Sequence, residues 1–223
     1  MTYTNMQTMD KELTLKIRIS EAGAERYVEN SRFTILSLAK KLDVDSKKIF
    51  DLFPNRSEIL NFFYESRILL YRDQTQQIKN YSDYSLDEKL SLLNLTLLDL
   101  FQDHREYVLL TYKEKVICSM STHPFENQFK NELKQIFHSD KNLCSGSSLL
   151  LNSAFYYSLF QTFNGFLYFW SRDASSNSEN SIALIDKWAS FVQEVSYTKI
   201  ADKGLDLGKF LFYHSPFSQF INR

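Results

Sequence analysis

The chain has 223 residues, 43% of them apolar and 15% aromatic, enough to fill one large domain or a small one and a medium one and too apolar for a disordered chain. Five glycines and three prolines are too few turn formers for a sandwich or barrel of many short strands, so the composition favours long helices. The formal net charge is −1, but residues 11–72 carry 12 Lys+Arg against 9 Asp+Glu, a mild local excess that suits phosphate contact and equally suits an ordinary solvated helix face.

The opening MTYTNMQTMDKELTLK lacks the apolar run of a signal peptide, and nowhere do about 18 apolar residues follow one another, which predicts a soluble cytoplasmic protein. Residues 11–29 form the first predicted helix, with Leu15, Ile19, Ala22, Gly23 and Tyr27 at three- and four-residue steps. Asn30 and Ser31 break it. A short amphipathic helix follows, in which Ile35, Leu38, Ala39 and Leu42 share a face. Asp43-Val44-Asp45-Ser46 supplies a tight turn and N-cap candidates for a third short helix carrying Ile49, Phe50 and Phe53. Pro54 stops that helix, Asn55 or Ser57 caps the next, and a fourth runs from about Glu58 to Ile78 with Ile59, Leu60, Phe63 and Leu70 inward. Further helices are expected at 85–103, 105–120, 124–138, 147–171 and 179–201, separated by Ser, Asn and Asp clusters. The fold class is thus all-α. The segment 147–171 is apolar nearly all round and must be covered by something. The aromatic tail from Gly204 to Arg223 receives no assignment.

Signals for chemistry are sparse. Cys118 and Cys144 stand outside any CxxC or Cys/His cluster, which suits reduced thiols. His104, His123, His138 and His214 offer no pair at helical ligand spacing and are read as surface or core histidines, so no metal and no cofactor are expected. Cys144-Ser145-Gly146-Ser147 lacks a Gly-x-Ser-x-Gly elbow and is read as helix capping; the five scattered glycines form no phosphate loop. Without an interpretable acid, base and nucleophile, no enzyme is expected.

A helix followed by two short helices across a tight turn is a helix-turn-helix on physical grounds, because the second short helix can project side chains into a major groove. Ile19-x-x-Ala22-Gly23-x-x-x-Tyr27, then Thr34-Ile35-x-x-Leu38-Ala39-x-x-x-x-Val44, then Ile49-Phe50-x-x-Phe53-Pro54-Asn55-Arg56-x-x-Ile59-Leu60, resembles the N-terminal pattern of the tetracycline-repressor (TetR/AcrR) family, without a gap from Thr34 to Leu60. The resemblance covers roughly residues 15–65. It implies a three-helix DNA-binding domain at 11–57 followed by a helical ligand-sensing and dimerisation bundle at 58–223. The partners it implies are a double-stranded DNA operator, a small apolar effector and a second copy of the chain.

By the same resemblance Thr34 and Arg56 would touch phosphates, and Asp45, Ser46, Lys47, Lys48 and Phe50 belong to the helix facing the groove. Hydroxyls and cations suit phosphate oxygens, and Lys also suits guanine acceptors. Phe63, Arg67, Phe101, His104, Tyr112, Phe155 and Phe160 are the candidate effector contacts, on the expectation that sites among helices are apolar with a few polar groups. Segments 147–171 and 179–201 correspond to the family's dimerising helices, with Leu184, Trp188, Phe191 and Val195 as an apolar stripe. Asp43 stands where the family usually has Gly, Phe50 where it usually has a phosphate-binding Tyr, and Asp45 and Asp51 add negative charge beside them. Two readings therefore stay open: a ligand-responsive repressor, or a TetR-fold binding or interaction module that has lost operator reading.

Overall fold

The computed structural model describes residues 10–143 and 151–198. Among these the chain is helical throughout, in the order α1 (Lys11–Glu29), α2 (Ile35–Leu42), α3 (Ser46–Leu52), α4 (Arg56–Gln76), α5 (Leu86–Gln102), α6 (Arg105–Tyr112), α7 (Pro124–Ser139), α8 (Ser153–Trp170) and α9 (Glu179–Tyr197). The expected all-α class holds. The Cys144–Ser147 segment, the start of the helix expected from 147, the end of the one expected to reach 201 and the tail from Gly204 lie outside the described residues.

Local chemistry sets the boundaries. Thr34 and Ser37 form a reciprocal capping box, the Thr34 hydroxyl accepting from the Ser37 N–H at 3.1 Å, so α2 begins at Ile35. The Asp45 carboxylate accepts from the Lys47 N–H at 2.9 Å and starts α3. Asn55 does the same for α4 through the Glu58 N–H at 3.1 Å, two residues earlier than the periodicity suggests. The helix expected at 105–120 is regular only to Tyr112. It then widens into a π turn over Lys113–Ile117, closed by Cys118 N–H donating to the Lys113 carbonyl at 2.8 Å. Asn152 accepts from the Ala154 and Phe155 N–H groups and starts α8 at Ser153, later than the 147 read from apolar content.

Among the described residues two compact units result, one holding 10–83 with 93–131, the other 84–92 with 132–143 and 151–198. In the first unit, Ile19, Leu38, Ile49, Ile59, Phe63, Tyr64 and Phe101 are fully buried. In the second, the same is true of Leu86, Leu90, Leu133, Phe137, Phe163, Ile185 and Ala189. Within the second unit, Gln193 on α9 accepts from the Asp87 N–H at 3.1 Å, and the Tyr197 hydroxyl donates to Asp140 at 2.7 Å.

Gly23 shows why α1 and α4 can lie so close: a Cβ added there would stand 2.8 Å from Ile59 Cγ2, with the Phe33 ring 3.8 Å away. Ile59 is itself fully buried, so neither partner has room to retreat. Gly23→Ala is expected to cost about 1–3 kcal/mol through overpacking, despite alanine's better helix propensity, read as a lower urea midpoint at unchanged m-value.

Candidate functional site

The N-terminal helices present a braced outer face. Phe33, Ile35, Leu38, Ala39, Ile49 and Phe53 are buried, which fixes α2 and α3 by their inner faces and leaves the outer ones to solvent. Between α2 and α3 the chain turns through Asp43, at φ 53° and ψ 47°, with its N–H on the Ala39 carbonyl; a left-handed residue is what a turn this tight requires, and Asp tolerates it second only to Gly and Asn. Lys47 and Lys48 are exposed on α3, as is Asp51; Ser46 is half-buried at its first position. Phe50 is 49% exposed, a large apolar ring with no donor on the outer face of a short helix.

The charges here are partly engaged. Asp45 caps α3, which gives its carboxylate a structural partner. Thr34 is exposed, and while its oxygen accepts from Ser37, its hydroxyl proton can still donate. Arg56 turns back: its Nη1 donates to the Ser31 carbonyl at 2.7 Å and the Phe33 carbonyl at 3.3 Å, and its guanidinium lies 5.5 Å from the Phe33 ring centre. It thereby ties the short α1–α2 connection to the start of α4.

Five of the seven candidate effector residues come together in the first unit. Phe63 stacks on Phe101 at 6.5 Å and meets His104 edge-on at 5.2 Å, and Phe101 meets Tyr112 at 6.0 Å. Arg67 lies 4.5 Å over the Phe63 ring and donates to Glu21 Oε1 on α1 at 2.8 Å, with side-chain exposures of 2% and 13% for the pair. Burial, followed by the Arg67 charge, holds the His104 imidazole below its ordinary pKa, against opposing pulls from Glu21, Glu25 and Asp103. Hydroxyls inside this cluster are satisfied: Tyr64 bonds Thr111 at 2.6 Å, and Tyr107 donates to the Leu60 carbonyl at 2.9 Å. Burial raises both phenol pKa values, so these groups are neutral hydrogen-bonding partners at any ordinary pH. Phe155 and Phe160 belong to the second unit, where Phe155 is half-buried and meets Phe137 edge-on at 5.3 Å, and Phe160 is buried.

On α9 two faces differ. Ser181, Ile185, Ala189, Val192 and Ser196 turn inward, while Leu184, Phe191 and Val195 stand exposed, Phe191 at 63%, and Trp188 packs edge-on against Phe166 at 5.2 Å. Tyr157, Tyr168 and Phe169 leave a comparable surface on α8. Among the described residues no helix is long and apolar enough to cross a membrane, and no three His, Cys, Asp or Glu side chains form a group that could hold a metal.

A family model described as the tetracyclin repressor-like C-terminal domain matches residues 89–211, more than half of the chain. The chain belongs to the TetR family of transcription regulators. Its fold is similar to that in the crystal structure of the TetR transcriptional regulator from Nitrosomonas europaea ATCC 19718. The TM-score is 0.57 at 15% identity, over 80% of this chain and 97% of that one. No curated protein matches the sequence.

In this TetR-family chain the Asp43 departure has a geometric meaning: the turn retains its left-handed residue without the glycine. Sequence reasoning missed the Glu21–Arg67 pair, because residues 46 apart on two different helices carry no local signal of contact. It also missed the bond from Lys115 Nζ to Asn61 Oδ1 at 3.5 Å, and it left open whether His123 is surface or core, which its burial decides. The position of Arg67 on the inward face of α4 among apolar neighbours was the one visible hint, since a buried cation must have a partner. Glu21→Gln removes the anion beside a buried guanidinium and is expected to lower stability by roughly 1.5–3 kcal/mol, checked by chemical denaturation.

Proposed function

We propose that this TetR-family regulator is a ligand-responsive repressor, acting in the cytoplasm as a homodimer that places two α3 helices in successive major grooves of a roughly palindromic operator. The observation that carries the reading is the exposed Lys47–Lys48 pair on α3, a helix braced from behind by α2, in a chain of this family. Residues 11–57 would read DNA and 58–223 would sense ligand and dimerise. Thr34 and Arg56 would approach phosphates, Arg56 with the donors not spent on Ser31 and Phe33; Asp45, Ser46 and Phe50 would border the groove beside the lysines.

The effector would enter the aromatic core around Phe63, Arg67, Phe101, His104 and Tyr112; Phe155 and Phe160 remain candidate contacts within their own unit. Because α4 carries Phe63 and Arg67 and also bonds α1 through Glu21, a ligand that shifts α4 also shifts the reading head. The change in DNA affinity is bounded by the ligand's preference for one of the two arrangements.

A second reading, a TetR-fold module without operator reading, is favoured by Phe50, which offers no phosphate donor, and by the exposed Asp45 and Asp51 carboxylates on or beside the same helix. One titration separates the two. Duplex DNA from immediately upstream of the gene is added to the protein at two salt concentrations, with unrelated DNA as competitor. The repressor reading expects selective binding that weakens steeply with salt and drops at least about tenfold in Lys47→Ala/Lys48→Ala. Absence of selective binding at low salt overturns it in favour of the module.

The outward apolar faces of α8 and α9 support dimerisation, since contiguous exposed apolar surface on paired helices favours burial against a copy of itself. Phe191→Glu is expected to convert the dimer to monomer in sedimentation velocity while leaving the helical circular-dichroism spectrum unchanged.

A further inference from the structure

His123 precedes α7 and caps it: its Nδ1 accepts from the Phe125 N–H at 3.1 Å. A nitrogen that accepts carries no proton, so the neutral ring must carry its proton on Nε2. The residue is 3% exposed, and Nε2 is buried without a hydrogen-bond partner. Burial and the nearby Lys115 charge push its pKa down to about 4, so it stays a neutral donor at physiological pH. A buried donor left without an acceptor is unfavourable, and such groups are rare enough to call for a physical account.

Tyr64 meets the imidazole edge-on at 6.1 Å, and its hydroxyl is committed to Thr111. Tyr112 lies 5.4 Å from Tyr64, and Phe125 lies 6.2 Å from Tyr112. Lys115, half-buried, bonds the neutral Asn61 amide at 3.5 Å and has no carboxylate within ion-pair distance among the described residues; Glu114 and Glu58 act on it only through space. The N-terminus of α7 adds a positive dipole end at the same place.

We propose that His123 Nε2–H and Lys115 anchor the carboxylate of an apolar carboxylic acid, with Tyr64, Tyr112 and Phe125 walling its hydrocarbon part. This deepens, and rests on, the reading that the helical core receives an effector: it names the ligand class and two residues for its charged end. The carboxylate oxygen accepts from Nε2–H, which supplies the missing partner, and its charge offsets that of Lys115.

The test uses the full-length protein with 2-naphthoate and its neutral isostere 2-naphthamide, measured by calorimetry at pH 7 and by ring-nitrogen NMR of His123. Expected are an Nε2-protonated ring in the free protein, an Nε2 shift on adding 2-naphthoate, and at least about tenfold tighter binding of the acid than of the amide. His123→Phe weakens the acid about tenfold or more, Lys115→Met abolishes the preference over the amide, and His123→Gln, which keeps a donor, retains most of the affinity. Equal binding of both probes, indifferent to His123→Phe, overturns the proposal. So does an Nε2 signal unmoved by saturating 2-naphthoate, which would leave the N–H facing a buried water or the Tyr64 ring. Release of operator DNA by an uncharged compound, with 2-naphthoate inert, would remove this proposal while leaving the ligand-responsive reading intact.

Discussion

A guanidinium buried between two helices constrains much of the first unit. Arg67 lies inside the protein, where Glu21 reaches it from α1, the Ser66 hydroxyl accepts from it and the Phe63 ring lies beneath it. That requirement sets the registration of α1 along α4, and Gly23 lets the two backbones approach closely enough to satisfy it. One contact is electrostatic and demands a partner; the other is steric and demands an absence. Together they leave α1 little freedom to slide or roll without giving up either an ion pair or a close-packed surface.

The aromatic core answers a different problem. Tyr64, Tyr107 and Tyr112 are large and fill space, but each brings a hydroxyl into a region with little water. For Tyr64 and Tyr107 the structure pairs that hydroxyl with Thr111 and with the Leu60 carbonyl, both on α4 or α6 and close at hand. Packing and hydrogen bonding therefore fasten α6 to α4 at the same few residues. For α6 to separate from α4, both of these hydrogen bonds must be broken inside the packed core. With Glu21 at the other side, α4 is bonded both to α1 and to α6.

How much of this was legible follows the range of each interaction. Helix limits set by caps, such as Thr34, Asp45 and Asn55, lie within a few residues of the groups they satisfy and could be read to within about two positions. The left-handed Asp43 was visible only as a departure from a glycine, and its conformation confirms that the turn, not the residue, is what the fold requires. The π turn at Lys113–Ile117 was not legible, because hydrophobic periodicity runs on across a one-residue widening. The start of α8 was overrun, since apolar content does not say where an Asn will cap. Contacts at long separation, Glu21 with Arg67 above all, depend on how helices cross, and a single sequence carries no record of that. Phe63, Arg67, Phe101, His104 and Tyr112 were named in one group with Phe155 and Phe160, which fall in the other unit, because apolar and aromatic content does not say which helices meet; the place of His123 near Tyr64 carries no local signal in the sequence.

Arg56 illustrates a separation between holding and attracting. Its hydrogen bonds to Ser31 and Phe33 stiffen a connection that has no glycine, yet both acceptors are neutral carbonyls, so the positive charge is redirected rather than cancelled. A hydrogen bond is spent locally, whereas the field of a monopole reaches out to about a Debye length, near 8–10 Å at physiological salt. The same side chain can therefore stiffen a loop and still raise the rate at which a polyanion encounters this end of the molecule, without prolonging its stay.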